Sequence, residues 1–166
     1  LVQRLLHLNE NAKKRIVEVV VMSRNSPETG VRIMNSVGKY NLDITRMAFS
    51  GGEPLAPYID AFDIDLFLSK DLKDVQSVID SKKCAAAYIY EPPTEFKPTD
   101  NRVKIAFDAD AVLFSDESEQ IYKTHGLDAF QKNEIENENV PLREGPHGKL
   151  LKTLSKIQKF MNTEIE

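Results

Sequence analysis

Residues 102–119 read Arg-Val-Lys-Ile-Ala-Phe-Asp-Ala-Asp-Ala-Val-Leu-Phe-Ser-Asp-Glu-Ser-Glu. Val103, Ile105 and Phe107 alternate with Lys104 and Ala106, the period-two pattern of a β-strand, and the run stops on Asp108 and Asp110. The pattern predicts two acids at the carboxyl end of a strand. In an open α/β sheet that edge is where the loops form a ligand crevice.

Carboxylates two residues apart in an extended chain point to the same side. They can share a divalent cation, or one can attack an electrophile while the other handles a proton. A pair of hard oxygen donors suits Mg2+, which keeps several waters and takes one or two carboxylates plus a substrate phosphate. The chain has 26 acidic residues, so the spacing also arises by chance. Asp63-Ile64-Asp65 is an internal control: it precedes the apolar run Leu66-Phe67-Leu68, which puts its acids at the other end of a strand. Asp116, Glu117 and Glu119 read as loop and helix-start acids, favoured near a helix's positive end.

The 166 residues can hold one ordinary domain or parts of two. A net charge of -4 with interspersed signs argues against a nucleic-acid polymer as partner, which calls for a clustered basic face. A mononucleotide needs no such face. The single Cys84, inside an apolar run, forms no internal disulfide and reads as a small core residue of a reducing compartment. No apolar run approaches the ~20 residues of a membrane span, and the first residues lack the layout of a signal peptide. His7, His125 and His147 lack zinc-ligand spacing.

Upstream, Leu1, Leu5, Leu6 and Leu8 mark an amphipathic helix, and Ile16 to Met22 a strand covered on both faces. Ser26 reads as an N-cap with Pro27 in the first helical position, opening a helix expected to turn Val31, Met34 and Val37 to the core. A strand, a polar turn and a helix start make a phosphate cradle. Ser23 and Asn25 either contact an anion there or only finish the turn, and Arg24 reads as a solvated charge. Further strands are expected at Ile44 to Phe49, Ile64 to Leu68 and Cys84 to Tyr90. A helix over 71–80 should bury Leu72, Val75 and Ile79, and a proline-rich linker should span 91–101. Beyond the Asp108 strand, 115–132 turns helical with Ile121, Leu127 and Phe130 facing inward. A last helix comes after Gly145-Pro146 and echoes the first, which suggests an internal duplication.

The stretch from Phe107 to Glu119 resembles the nucleophile motif of the cytosolic 5′-nucleotidase type I family and its bacterial relatives, within the haloacid dehalogenase superfamily. Ser23 to Gly30, Leu42 to Arg46, Gly51-Gly52-Glu53, Asp65 to Ser69 and His125-Gly126-Leu127 match that family too, so the resemblance covers nearly the whole chain. It implies an α/β fold of three layers with a mainly parallel, Rossmannoid sheet and a helical cap from about Ser115 to Gly145. Residues 1–100 would be the Rossmannoid segment, carrying the later motifs of a degenerate first copy. Residues 101–166 would hold the nucleophile strand, cap segment and final helix, the whole being a fragment of a longer chain. The implied activity is cytoplasmic hydrolysis of nucleoside 5′-monophosphates. Asp108 would be the nucleophile, Asp110 the acid–base, Mg2+ would sit on both, and Ser23 with Asn25 would hold the phosphoryl group.

Two departures from the family pattern stand out. The family's catalytic loop carries a lysine after the glycines, whereas here the loop continues as Glu53 to Tyr58 and the next lysine is Lys70. Ser69 stands where the catalytic copy has a metal-holding acidic pair. A catalytically incomplete nucleotide-binding or assembly module is therefore the alternative to an enzyme, and a homo-oligomer is allowed if the final helix lacks a strand to pack beside. A receiver-like signalling domain fits less well, because such domains gather their acids from separate strands.

Overall fold

The computed structural model describes residues 1–10, 12–91, 94–95 and 102–161. The chain divides into two compact units, one comprising Leu1–Ile105 with Leu154–Glu166 and the other Ala106–Thr153. The architecture is α/β, with short parallel strand pairs and several helices.

In the first unit, α1 (Val2–His7) is followed by β1 (Val20–Ser23), α2 (Pro27–Lys39) and β2 (Arg46–Phe49), then β3 (Leu66–Ser69), α3 (Leu72–Ser81) and β4 (Ala85–Tyr88). β1 pairs with β2 in parallel from Val20↔Arg46 to Ser23↔Phe49. β3 pairs with β4 from Leu66↔Ala85 to Ser69↔Tyr88. Each pair is thus a strand–helix–strand unit, the crossover that parallel pairing requires.

Local chemistry explains where the helices start and which faces they bury. Ser26 is extended (φ −73°, ψ 158°) and Pro27 sits in the first turn of α2. A Cβ on Gly30 would lie 2.7 Å from the Phe49 ring, so the glycine is what lets α2 press onto β2. The expectation that Val31 and Met34 face the core is corrected: they are 52% and 54% exposed. With Gly30 fixing the contact line, the inward row runs through Ile33 and Val37, and Val31 and Met34 are rotated off it.

In α3 the Asp71 side chain caps the backbone N–H groups of Lys73 and Asp74, and Lys82 ends the helix in the left-handed region (φ 55°). Val75 and Val78 pack with Leu55, Ile59, Phe67 and Ala86, and Cys84 borders this core. Leu72 and Ile79, expected inside, are exposed, because Asp74 and Val78 occupy the inward positions.

The anticipated strand at Val103 to Phe107 differs most from expectation. Burial alternates along it, yet only Val103 makes a bridge and residues 104–108 join no sheet. Alternation decides which side chains turn inward, but a ladder also needs a neighbour in register, and the pattern does not supply one. Val103 instead packs with Leu8 in a second cluster that Leu5, Ile16, Val17, Ile105, Leu154 and Ile157 border. The first and last helices, alike in sequence, thus share one core. Most of the expected linker 91–101 lies outside the described residues.

The second unit is a helical excursion tied at its base. Phe114 bridges Glu144 in antiparallel fashion. Around it Ser115 N–H donates to Arg143 O (2.8 Å), Gly145 N–H to Leu113 O (2.8 Å) and His147 N–H to Val112 O (2.9 Å). The chains approach so closely that a Cβ on Gly145 would lie 2.3 Å from Phe114 O.

Between these two segments runs α4 (Glu117–Glu136), broken at Gly126 (φ 82°, ψ −178°). A straight helix would separate Ser118 from Glu134 by about 24 Å. Instead the Ser118 hydroxyl donates to Glu134 Oε1 at 2.6 Å, and the Tyr122 and Phe130 rings meet edge to face at 6.2 Å. α4 is therefore a hairpin whose arms fold back at Gly126. α5 (Gly148–Met161) then runs from this unit into the first.

Candidate active site

The two acids of residues 102–119 introduce an unusual turn. Asp108 is extended (φ −68°, ψ 150°) and its carboxylate accepts the Ala109 N–H at 2.8 Å. That contact orients the side chain and commits one of its two oxygens. Asp110 is extended as well (φ −75°, ψ 135°), and Ala111 is left-handed (φ 58°). Phe114 N–H then donates to Ala109 O, five residues back, closing a π-type turn over Ala109–Leu113. A left-handed alanine costs about 1–2 kcal/mol, which the surrounding bonds must offset. Both carboxylates are exposed.

Ser23 and Asn25 lie in the first unit, where two loops leave the carboxyl ends of β1 and β2. Ser23 Oγ accepts the Asn25 N–H at 3.1 Å, a serine turn. The loops then zip together beyond the sheet: Ser50 N–H donates to Ser23 O (3.0 Å), Gly51 N–H to Asn25 O (3.0 Å) and Gly52 N–H to Arg24 O (2.6 Å). Gly51 and Gly52 sit at φ 63° and 102°, conformations that suit glycine. At the start of α2 the Glu28 carboxyl is held below its usual range by its hydrogen bond with the Ser26 hydroxyl.

Ser23 and Asn25 are thus brought together, as are Asp108 and Asp110, one pair in each unit. Arg24 is solvent-exposed, as expected of a surface charge, with its side chain 44% accessible, and it is paired as well. Its Nε donates to Gly52 O (3.2 Å) and a terminal nitrogen pairs with Asp74 Oδ1 (3.6 Å). Asp74 is 7% exposed, and burial, then the neighbouring Asp71, push its carboxyl up while Arg24 pulls it down. No sequence periodicity links residues 24 and 74, which only the fold brings together.

At the departures from the family pattern, Lys70 pairs with Glu91 and Asp71 serves as the α3 cap. Among the described residues no three of His, Cys, Asp or Glu gather as a metal cage. The hard donors available beside the π-turn are the Asp108 and Asp110 carboxylates and the turn's carbonyls. In the same unit an open cleft runs between the α4 arms and residues 138–143, lined by the acids Asp116, Glu117, Glu134 and Glu138 and by Arg143, with amides such as Asn133 and apolar side chains such as Ile121 and Leu142. No helix among the described residues is long and apolar enough to cross a membrane.

Comparison with known proteins bears on the site as built. Human cytosolic 5′-nucleotidase 1B is 37% identical over 144 residues, which is 87% of this chain and 23% of that protein. The chain therefore spans about a quarter of that relative's length. No solved structure matches the chain significantly. The sequence model of the 5′-nucleotidase family matches residues 1–166, its entire length. A match of that extent agrees with the motifs that run from Ser23 to Glu119, and the chain belongs to the 5′-nucleotidase family.

Proposed function

We propose that the chain carries the nucleophile centre of a phosphohydrolase acting on nucleoside 5′-monophosphates, in a haloacid-dehalogenase-like framework with α4 as its cap. The observation that carries this reading is the setting of Asp108 and Asp110 at the head of a strained π-turn, within a chain of the 5′-nucleotidase family.

In this mechanism Asp108 attacks phosphorus, an acyl-phosphate bond forms and the bond to the nucleoside 5′ oxygen breaks. Asp110 protonates the departing oxygen, then takes a proton from the water that releases phosphate and regenerates Asp108. The Ala109 N–H fixes the Asp108 carboxylate for attack, and in the first unit the turn of Ser23 and Asn25 at the start of α2 makes a cradle suited to a phosphate. The donor set fits Mg2+, which the Asp108 and Asp110 groups would hold and which screens carboxylate–phosphate repulsion when bound. The second unit's cleft, with mixed polar and apolar walls, suits a nucleoside. A cytoplasmic setting accords with the name of the human relative, and the interspersed charges, with a net of -4, fit a small nucleotide better than a polymer.

The test is phosphate release from AMP with Mg2+ by the chain and by Asp108→Asn. Release by the parent and none by the variant is the expected result. Equal release from both would remove Asp108 from the nucleophile role.

A second reading, a nucleotide-binding module without turnover, is favoured by the glycine loop that lacks a lysine and by Asp71 being spent on a helix cap. AMP binding without phosphate release would select it.

A further inference from the structure

We infer that Arg24 and Asp74 are positioning residues for the phosphate subsite: Asp74 on α3 holds the Arg24 guanidinium, which holds the Gly52 carbonyl and so locks the turn presenting Ser23 and Asn25 to the glycine loop after β2. This rests on the reading of Ser23 and Asn25 as phosphate ligands.

Three observations support it. The Arg24 backbone and side chain both bind Gly52, its O accepting the Gly52 N–H at 2.6 Å and its Nε donating to Gly52 O at 3.2 Å. One residue therefore clasps the left-handed glycine of the opposite loop on two sides. The guanidinium's fork lets it serve Asp74 at the same time, 3.6 Å away, which a lysine's single ammonium on a flexible stem would do poorly. Finally, Asp74 is buried at a position where the fold gains little from an acid. Val75 and Val78 supply the packing of α3, while burial of the Asp74 carboxylate opposes its ionisation. A buried carboxylate whose pairing reaches out to a ligand loop is the arrangement expected where stability has been traded for a fixed site.

A positioning role and a structural one differ in their effect on stability. A residue that merely holds α3 together should lower the melting temperature when replaced. Asp74→Asn, which removes the buried charge at constant shape, should leave that temperature unchanged or raise it, yet loosen the loops.

The experiment measures AMP affinity with Mg2+ by calorimetry, alongside melting temperature, for the chain, Asp74→Asn, Arg24→Lys and Ser23→Ala. All three variants are expected to lose affinity, Asp74→Asn and Arg24→Lys by about tenfold, as when a charge-assisted contact is lost. Asp74→Asn should do so without a drop in melting temperature. Lost affinity in Ser23→Ala but not in Asp74→Asn or Arg24→Lys overturns the positioning chain and leaves the phosphate reading standing. Unchanged affinity in Ser23→Ala, or no binding by the parent, overturns the phosphate reading and the inference with it. A melting temperature that falls together with affinity in Asp74→Asn assigns Asp74 a structural role and also overturns the inference.

Discussion

The chain contains Asp-x-Asp in both units, at 63–65 and at 108–110, and the two copies lead to different local structures. In the first, Asp63 is left-handed (φ 53°), its N–H donates to Asp60 O at 3.1 Å, and Asp65 stands immediately before β3. These acids end a turn that feeds the amino end of a strand, away from the edge where β3 leads into α3. In the second, Asp108 and Asp110 come after an alternating segment and open a π-turn that the 112–115 and 143–147 backbones clamp. The same spacing thus makes a strand-entry corner in one place and, in the other, an exposed turn in which the Asp108 carboxylate is held by a backbone N–H. The backbone on the carboxyl side of each pair, more than the two acids themselves, sets its role.

The strongest challenge to that contrast is a matched pair of substitutions assayed with AMP and Mg2+. Asp108→Asn should cut turnover by at least about a thousandfold, as loss of a nucleophile does, whereas Asp65→Asn should leave it within about twofold of the parent. Similar losses in both would show that the two copies do not differ as proposed. Asp110→Asn comes next, with an expected loss of about 10²–10⁴-fold, the range for a general acid–base. Asp63→Asn, whose side chain tolerates the left-handed region, should have no comparable effect on the rate.

Stability measurements sharpen the comparison further. Gly145→Ala forces a methyl against the Phe114 carbonyl and should cost about 1–3 kcal/mol. Hydrogen exchange should localise the damage to residues 112–115 and 143–147, around the second pair only. Ala111→Gly relieves the left-handed strain and should raise stability by up to about 1 kcal/mol while slowing turnover, if the strained turn aims the acids.

The smallest effect concerns pH. Because burial raises the Asp74 carboxyl, the folded chain binds that proton more tightly than the unfolded chain, whose value stays near 3.8. The contribution is therefore absent below 3.8, grows more destabilising as pH rises past 3.8, and is complete once pH exceeds the folded value. Denaturation curves of Asp74→Asn and the parent should coincide in acid and separate in the variant's favour toward neutrality. A gap that widened in acid instead would contradict the burial effect.

Much of this fold was legible in the chain itself. Four of the expected strands and the helices after Ser26 and Asp71 lie where β-branched runs, Pro27 and the Asp71 cap put them, with boundaries shifted by a few residues. The motifs around Asp108 pointed to the family that the comparisons then showed. The helix faces were less legible. Val31, Met34, Leu72 and Ile79 have the right spacing for burial, but spacing does not reveal that Gly30 would set the contact line of α2 or that Asp74 would take an inward place on α3.

Residue order by itself determined the strands and helices between residues 20 and 88, and that two acids share one turn, because these depend on local torsional preference and short-range hydrogen bonding. Only the tertiary structure decided that residues 104–108 stay outside a ladder, that α4 folds back at Gly126 so that Ser118 meets Glu134, and that Arg24 reaches both Gly52 and Asp74. Those outcomes depend on which neighbours are present and how closely backbones can approach, quantities set by packing across the chain and carried by no local stretch of it.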